Sequence, residues 1–375
     1  MTNIKSIAIG LRNINTKSGL GKIVYEQILH FQNQGIKVDI YTHKCDSTIK
    51  KSGAKIFKIF KIPFVNEYHR RLFFANIVQI KIAKKNYDLV IGHGDLIEQD
   101  ILFLHNLDEK AFFMKNKKKM FPLTHIANIR RLILNSQKFK LLIANSNLMK
   151  NELVEYFHIP EDKIKIVYPG YNPKQFNTIN KESIRIAIRE DFKIDEESTL
   201  IGFITSGDFE NRALSLFIEA INKIDKNLNF KILVVGKDSN IDKYTQEIKA
   251  FGLENRFILK DSVDNVEKYF YAVDFVVHPA YFETFGMVVQ EAMACGLPVI
   301  TSTCVGASEI MLDKTLVMQE PNLEELSNMI EKLISDKNLR YAISEKSLLW
   351  VMHTTWDDYL QKCDEYISSI LSKRL

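Results

Sequence analysis

Between Tyr281 and Val299 the chain reads YFETFGMVVQEAMACGLPV, with two carboxylates, Glu283 and Glu291, either side of Gly286. The apolar stretch before them, FVVHPA (275–280), has the composition of a buried strand. The chain therefore leaves a strand, passes a carboxylate and a glycine, and enters a helix carrying the second carboxylate. The N–H groups of a helix start that follows a strand can hold phosphate. Met287 is among the residues that open this helix, and Glu291 falls one to two turns into it, amid Val288, Val289, Ala292 and Met293. A charge on so apolar a helix needs a partner or an open crevice. Ribose hydroxyls would supply donors to Glu291, and Glu283 reaches further out. The combination points to a nucleotide bearing a polar group such as a sugar. A structural salt bridge explains either glutamate alone, but not readily both with Gly286.

Other residues offer matching chemistry. In SGDFENRA (206–213), Gly207 allows a close turn and Arg212 brings five donors suited to phosphate oxygens. A helix-surface arginine is the plainer reading. VVGKDSN (234–240) places Lys237 directly after a glycine, where a surface lysine is nearly as good an account. His105 follows DILFL and should emerge at the C-terminal end of a strand, the edge that faces the crevice in open α/β sheets. A neutral imidazole there can bond a sugar hydroxyl or orient a reacting group; a histidine satisfied by the loop backbone is the alternative. His93, between Gly92 and Gly94, is a weaker candidate. The loop KSGLGK (17–22) has Gly19 and Gly21 ahead of a helix, without Walker A or GxGxxG spacing. An anion or sugar approaching this backbone competes with an ordinary tight turn.

The elements that must position these groups alternate. KSIAIGL (5–11), a helix carrying Ile23, Val24, Ile28 and Phe31, and KVDIYTH (37–43) make a strand–helix–strand opening. YDLVIGHG, DILFLHN, KLLIANS and KIKIVYPG are further strands of the first half. Segment 107–139 reads as helical and basic, interrupted at Pro122. The pattern restarts with STLIGFITS (198–206) and continues through FKILVVGK, RFILKDS, FVVHPA and LPVITS. The expected fold class is α/β, with two doubly wound parallel-sheet domains: 1–180, 181–355, and a C-terminal helix 356–375 able to brace the first.

Size and charge agree. At 375 residues the chain exceeds what one core usually covers. The reading excludes a membrane span, a signal peptide and a tight cysteine metal pattern, and fits a cytoplasmic protein with reduced thiols. Residues 1–180 hold 29 Lys+Arg against 14 Asp+Glu, while the remainder holds 22 against 32. A basic half points to an anionic partner, such as a membrane surface, a phosphorylated acceptor or nucleic acid, unless the lysines only solvate the surface.

On these motifs the chain resembles the retaining glycosyltransferases of family 4, which have the GT-B fold. ETFGMVVQEAMACGLPV matches the family's Glu-x7-Glu segment before Gly-x-Pro-Val; SGLG, FLHN, IANS and VYPGYNPKQF resemble first-domain landmarks. Asn106 stands where the family often has Asp after the histidine, and Arg212 stands where the family's phosphate-binding lysine would fall. SGDFENRAL with VVHPAYFETFG looks most like the branch building lipopolysaccharide cores. The resemblance implies two domains facing a cleft, a nucleotide-diphospho-sugar donor (UDP-, GDP- or ADP-hexose), no required cofactor or metal, and front-face transfer with retention. Gly19 and Gly21 would approach the diphosphate. His105 would orient the sugar or assist its oxocarbenium-like state. Arg212, Lys237 and the backbone at Gly286 and Met287 would stabilise the leaving diphosphate, with Glu283 on sugar hydroxyls and Glu291 on ribose.

The expected function is hexose transfer to a glycan or lipid-linked acceptor in cell-envelope polysaccharide or lipopolysaccharide biosynthesis. Segment 110–140 interleaves cations such as Lys117, Lys118 and Lys119 with Phe112, Phe113, Met114, Met120 and Phe121, which fits peripheral contact with an anionic membrane. No nucleic-acid partner is expected. A soluble-acceptor sugar synthase and a nonenzymatic nucleotide-sugar or nucleic-acid binding module are the alternatives.

Overall fold

Runs of Val, Ile and Leu bury both faces of their strands, which is the signature of parallel sheets covered by helices. The structure, a computed structural model, describes residues 4–118, 124–179 and 181–371. The chain divides into two compact units, Met1–Gly170 with Trp356–Leu375, and Tyr171–Thr355.

The first unit contains β1 (Ser6–Gly10), β2 (Lys37–Thr42), β3 (Lys55–Lys58), β4 (Leu89–Gly92), β5 (Ile101–Phe103), β6 (Leu141–Ala144) and β7 (Ile164–Ile166). They form a seven-stranded parallel sheet in the order β3-β2-β1-β4-β5-β6-β7. The order reverses between β1 and β4, where Gly10 pairs with Gly92. Four helices matter to the site: α1 (Gly19–Asn33), α2 (Glu67–Ala83), α3 (Asp108–Asn116) and α4 (His125–Ser136). α3 and α4 occupy the segment read as one interrupted helix. Pro122, with Lys119, Met120 and Phe121, lies outside the described residues.

The second unit contains β8 (Thr199–Ile204), β9 (Phe230–Val235), β10 (Phe257–Lys260), β11 (Phe275–Val277), β12 (Val299–Ser302) and β13 (Val317–Met318). Their order, β10-β9-β8-β11-β12-β13, is that of a dinucleotide-binding sheet, reversing between β8 and β11. Phe203, Phe217, Phe230 and Phe275 fill its core, with Phe203 stacked on Phe217.

The passage into the second unit falls at Gly170, ahead of the expected 180, for a local reason. Tyr171 bridges to Thr355, and Phe176 is buried against the Phe270 ring, so the segment after Gly170 is part of the second unit's packing. The residues directly after the expected boundary at 180 form a helix, α5 (Lys181–Asp191). Its Arg185 and Arg189 grip Asp274, and Asp274 Oδ2 accepts from the Leu200 N–H at 2.6 Å. In the first unit, α8 (Trp356–Leu371) buries Trp356, Tyr359, Cys363 and Ile367. It meets α1 through Gln27 Nε2 donating to Tyr359 Oη at 3.1 Å and His30 against Asp364 at 2.9 Å. Two further helices of the second unit serve the site, α6 (Leu214–Lys223) and α7 (Met287–Ala294).

Candidate functional site

In the second unit, Glu283 sits in the loop between β11 and α7. Both ends of that loop are pinned: His278 N–H bonds the Ile300 carbonyl, and Glu283 N–H bonds the Cys304 carbonyl. The Glu283 carboxylate is then held from two sides. Arg212 Nη2 donates to Oε1 at 2.9 Å, and His278 Nε2 approaches Oε2 at 2.7 Å. A carboxylate only accepts, so the proton of that second bond belongs to His278 Nε2. Burial works to raise the pKa of Glu283, but the Arg212 charge and the His278 bond outweigh it and hold it down at about 2. Glu283 is therefore an anion across the physiological range. Arg212 has one Nη committed to it, while its buried Nε has no hydrogen-bond partner among the described residues.

Gly286 turns the chain into α7 with φ +94°, a left-handed conformation that favours glycine. A side chain there would also collide with Val305 and stand 3.4 Å from Glu283 Oε2. The carboxylate thus lies against the helix entrance. Met287 begins the helix; Glu291 is 8% exposed, with Val289, Ala292 and Met293 buried around it.

The loop after β8 is built just as closely. Gly207 and Gly236, both at positive φ, let two loops touch: a Cβ on Gly207 would stand 2.5 Å from the Lys237 carbonyl. Phe209 N–H donates to Asp238 Oδ2 at 2.8 Å, and Tyr281 N–H donates to the Asn211 carbonyl at 2.9 Å. These bonds tie the Arg212 loop to both the Lys237 loop and the Glu283 loop, before Ala213 caps α6. The Lys237 side chain is 73% exposed and only 3.9 Å from Asp261, so it is a mobile-reach cation rather than a fixed one.

The first unit places His105 two residues beyond β5. Its Nε2 is 2.9 Å from His93 Nδ1, and the rings stack with centroids 5.2 Å apart. His93 stacks in turn on Phe103. Burial first, then the Arg130 charge, pushes His105 down to about 3, and burial with His105 lowers His93 well below its usual value. Both imidazoles are neutral at physiological pH. Asn145 Nδ2 donates to the His105 carbonyl at 3.2 Å.

The KSGLGK loop leads into α1. Ser18 caps α1, its Oγ accepting from the Gly21 N–H at 3.1 Å. A Cβ on Gly21 would stand 1.8 Å from the Asn15 carbonyl, so the close backbone approach that requires this glycine is made by the chain's own loop. Gly19 remains exposed at the helix start. His278 is the residue the sequence reading passed over. Its signal was its position directly after β11 in FVVHPA, five residues before Glu283. Among the described residues, no three or more His, Cys, Asp or Glu side chains gather as a metal site, and no helix is long and apolar enough to cross a membrane.

Comparison with known proteins fits this geometry. The model of Glycosyltransferase Family 4 matches residues 17–175, and that of Glycosyl transferases group 1 matches residues 184–350. The lipopolysaccharide glucosyltransferase WaaG of Escherichia coli K12 is 22% identical over 325 residues, 84% of this chain and 85% of that protein. The solved structure of WaaG superposes with a TM-score of 0.83 at 20% identity, covering 96% of this chain and 99% of that one. The uncharacterised glycosyltransferase MJ1607 of Methanocaldococcus jannaschii is 26% identical over 222 residues, 58% of this chain and 57% of that protein. Anabaena HepE, solved with UDP and glucose, superposes with a TM-score of 0.78 at 16% identity, covering 97% of this chain and all of that one. With one model on each half, and the WaaG fold shared along nearly the whole length, the chain belongs to glycosyltransferase family 4 and is a glycosyltransferase of GT-B fold.

Proposed function

We propose that the chain moves a hexose, with retention, from a nucleotide-diphospho-sugar to a glycan or lipid-linked acceptor of the cell envelope. The observation that carries the donor side is the chain Arg212–Glu283–His278, folded against the glycine that opens α7. Glu283 is fixed as an anion able to accept from sugar hydroxyls. Arg212 keeps an unspent buried Nε donor, and the first N–H groups of α7 point out of the helix. Together these suit a diphosphate whose negative charge grows as the sugar departs. Glu291, behind the same helix start, suits the ribose, and Lys237 suits an outer phosphate oxygen. The HepE complex with UDP and glucose supports this donor class.

The reaction needs the acceptor hydroxyl to lose a proton while the diphosphate oxygen gains charge. In front-face transfer the departing oxygen takes that proton, and no carboxylate nucleophile is called for. His105, neutral beside His93, would orient the sugar or its cation-like state. Arg212 and the helix start supply the positive field, so activity should persist in chelator without added Mg²⁺ or Mn²⁺. Loss in chelator with recovery on one divalent ion would overturn that. Screening UDP-, GDP- and ADP-sugars for hydrolysis tests the donor class, and no hydrolysis or transfer with any of them would refute the reading.

The name of WaaG supports a lipopolysaccharide-type acceptor, presented at the cytoplasmic face of a membrane. Phe113 on α3 is 43% exposed and Ile126 on α4 is 40% exposed, with Lys117 and Lys118 exposed between these helices. Such a surface can enter headgroups while its cations meet anionic lipid, each contributing about 1 kcal/mol. Wild type should sediment with anionic vesicles and be released by salt. Reversing the charges of Lys117 and Lys118 should reduce binding, and equal binding to neutral vesicles would refute the electrostatic account.

A further inference from the structure

A second charged constellation lies in the first unit, at the strand ends beside the reversal of its sheet, and the donor chemistry makes no use of it. Arg12 follows β1, Asp95 follows β4, and Glu67, Arg70 and Arg71 open α2. Arg12 N–H donates to Asp95 Oδ2 at 3.0 Å, and Arg12 Nη1 meets Glu67 Oε1 at 2.6 Å. Arg71 Nη1 meets Asp95 Oδ1 at 3.1 Å, and Arg70 Nη1 is 3.9 Å from Glu67. Three guanidiniums thus share two carboxylates.

The donors are not used up. The Nε atoms of Arg12, Arg70 and Arg71 are buried and hydrogen-bond nothing among the described residues, although Arg71 Nε lies 3.2 Å from Glu67. Arg12 is 6% exposed, so its lone Nε is not left to bulk water. A closed structural network would balance its charge and satisfy its donors. This one keeps a surplus cation and unspent N–H groups while Arg70 stays 39% exposed as an entrance. Burial and repulsion from Arg12 and Arg130 lower the affinity of Arg71 for its proton, partly offset by Asp95 and Glu67, which an arriving anion would reverse. Arg130 acts electrostatically on His105 as well, so the arginines adjoin the strand edge that carries the histidine pair.

We propose that Arg12, Arg70 and Arg71 form an anion site for a phosphoryl group carried by the acceptor. Arginine is suited to this because its planar donors match phosphate oxygens in pairs. Glu67 and Asp95 hold the three guanidiniums in place rather than neutralise them. The proposal rests on the transferase reading above and narrows its acceptor to a phosphorylated one.

Calorimetric titration of inorganic phosphate into the full chain, at constant ionic strength, tests it. Wild type should bind phosphate, and Arg71→Gln should weaken one class of site about tenfold. Arg70→Gln, at the more exposed position, should weaken the same class by about threefold and keeps the test open should Arg71→Gln fail to fold. Arg212→Gln should leave that class intact, since it belongs to the second unit. Phosphate binding that disappears only in Arg212→Gln, or is equal in wild type and both α2 variants, would overturn the proposal. Donor hydrolysis by wild type is measured alongside: its absence counts against the transferase reading, while hydrolysis with unaltered phosphate binding in the α2 variants counts against the anion site alone.

Discussion

The two strand-end edges of this molecule are built on the same sheet order yet hold charge in opposite ways. In the second unit a single carboxylate, Glu283, is clamped between one arginine and one histidine and held at about 2. In the first unit the central groups, His93 and His105, are held uncharged, because stacked buried imidazoles beside Arg130 cannot take up protons. The first arrangement fixes an acceptor of hydrogen bonds next to the unspent Nε donor of Arg212. The second provides a neutral donor and acceptor that a sugar can meet without an added charge. One topology, with different loops, thus yields an ionised clamp and a neutral one.

The sharpest way to break this comparison is at Arg212. Arg212→Gln leaves Glu283 buried with only His278, and turnover should fall about a hundredfold to a thousandfold. Glu283→Gln should fall comparably, and the double variant should be no worse than the poorer single, because the pair acts as a unit. Steady-state kinetics and a double-mutant cycle check this; additive losses would mean the two side chains act separately.

On the neutral side, His105→Gln should cost about tenfold to a hundredfold in turnover. With His105 at about 3, the pH–rate profile between pH 5 and 8 should carry no inflection that His105→Gln removes. His93→Phe keeps the stack on Phe103 but loses the 2.9 Å bond, so it should share part of the loss without unfolding the unit. An inflection near pH 6 that vanishes in His105→Gln would show that the imidazole titrates in the working range.

A smaller effect concerns the entrance to α1. Gly21→Ala places a Cβ on the Asn15 carbonyl and should destabilise the first unit by about 1–3 kcal/mol. The equivalent change at Gly19, which is exposed, should be milder. Thermal melts of the two variants compare them directly; equal melting would remove the special role of Gly21.

The last effect, which depends on pH, is at Glu152, a 1% exposed carboxyl whose Oε2 has no partner among the described residues. Burial dominates and raises it to about 8 from 4.5. Its stability contribution is therefore fully present below about 4.5 and is lost as pH rises through about 8. Glu152→Gln should melt close to wild type at pH 5 and above it beyond pH 8. Each 1 kcal/mol corresponds to about 2–4 °C for a unit of this size. A constant difference across pH would refute the assignment.

How far the sequence could be read depended on where the interacting residues lie in the chain. Glu283, Gly286 and Glu291 stand within nine residues, so strand, turn and helix could be recognised from periodicity, and the two sheets from their alternation. His105 was legible because a strand end predicts its edge. α5 was not, since its sequence KESIRIAIRED is polar enough to pass for a linker, and what orders it is the grip of Arg185 and Arg189 on Asp274, far along the chain. The same holds for His278, whose role depends on the loop folding Glu283 back onto it.

The amino-acid sequence by itself determined the parallel α/β architecture, its restart near Thr199 and the residue types gathered at the strand ends, because these follow from local periodicity and turn chemistry. Only the tertiary structure decided which charges meet. Arg212 and Glu283 are 71 positions apart, and Arg12 and Glu67 are 55 apart. It also decided that Gly21 packs against its own loop, and that burial keeps two histidines uncharged. Each of these depends on burial and on distances of about 3 Å between remote segments, and Coulomb and desolvation energies are set by those distances, not by position along the chain.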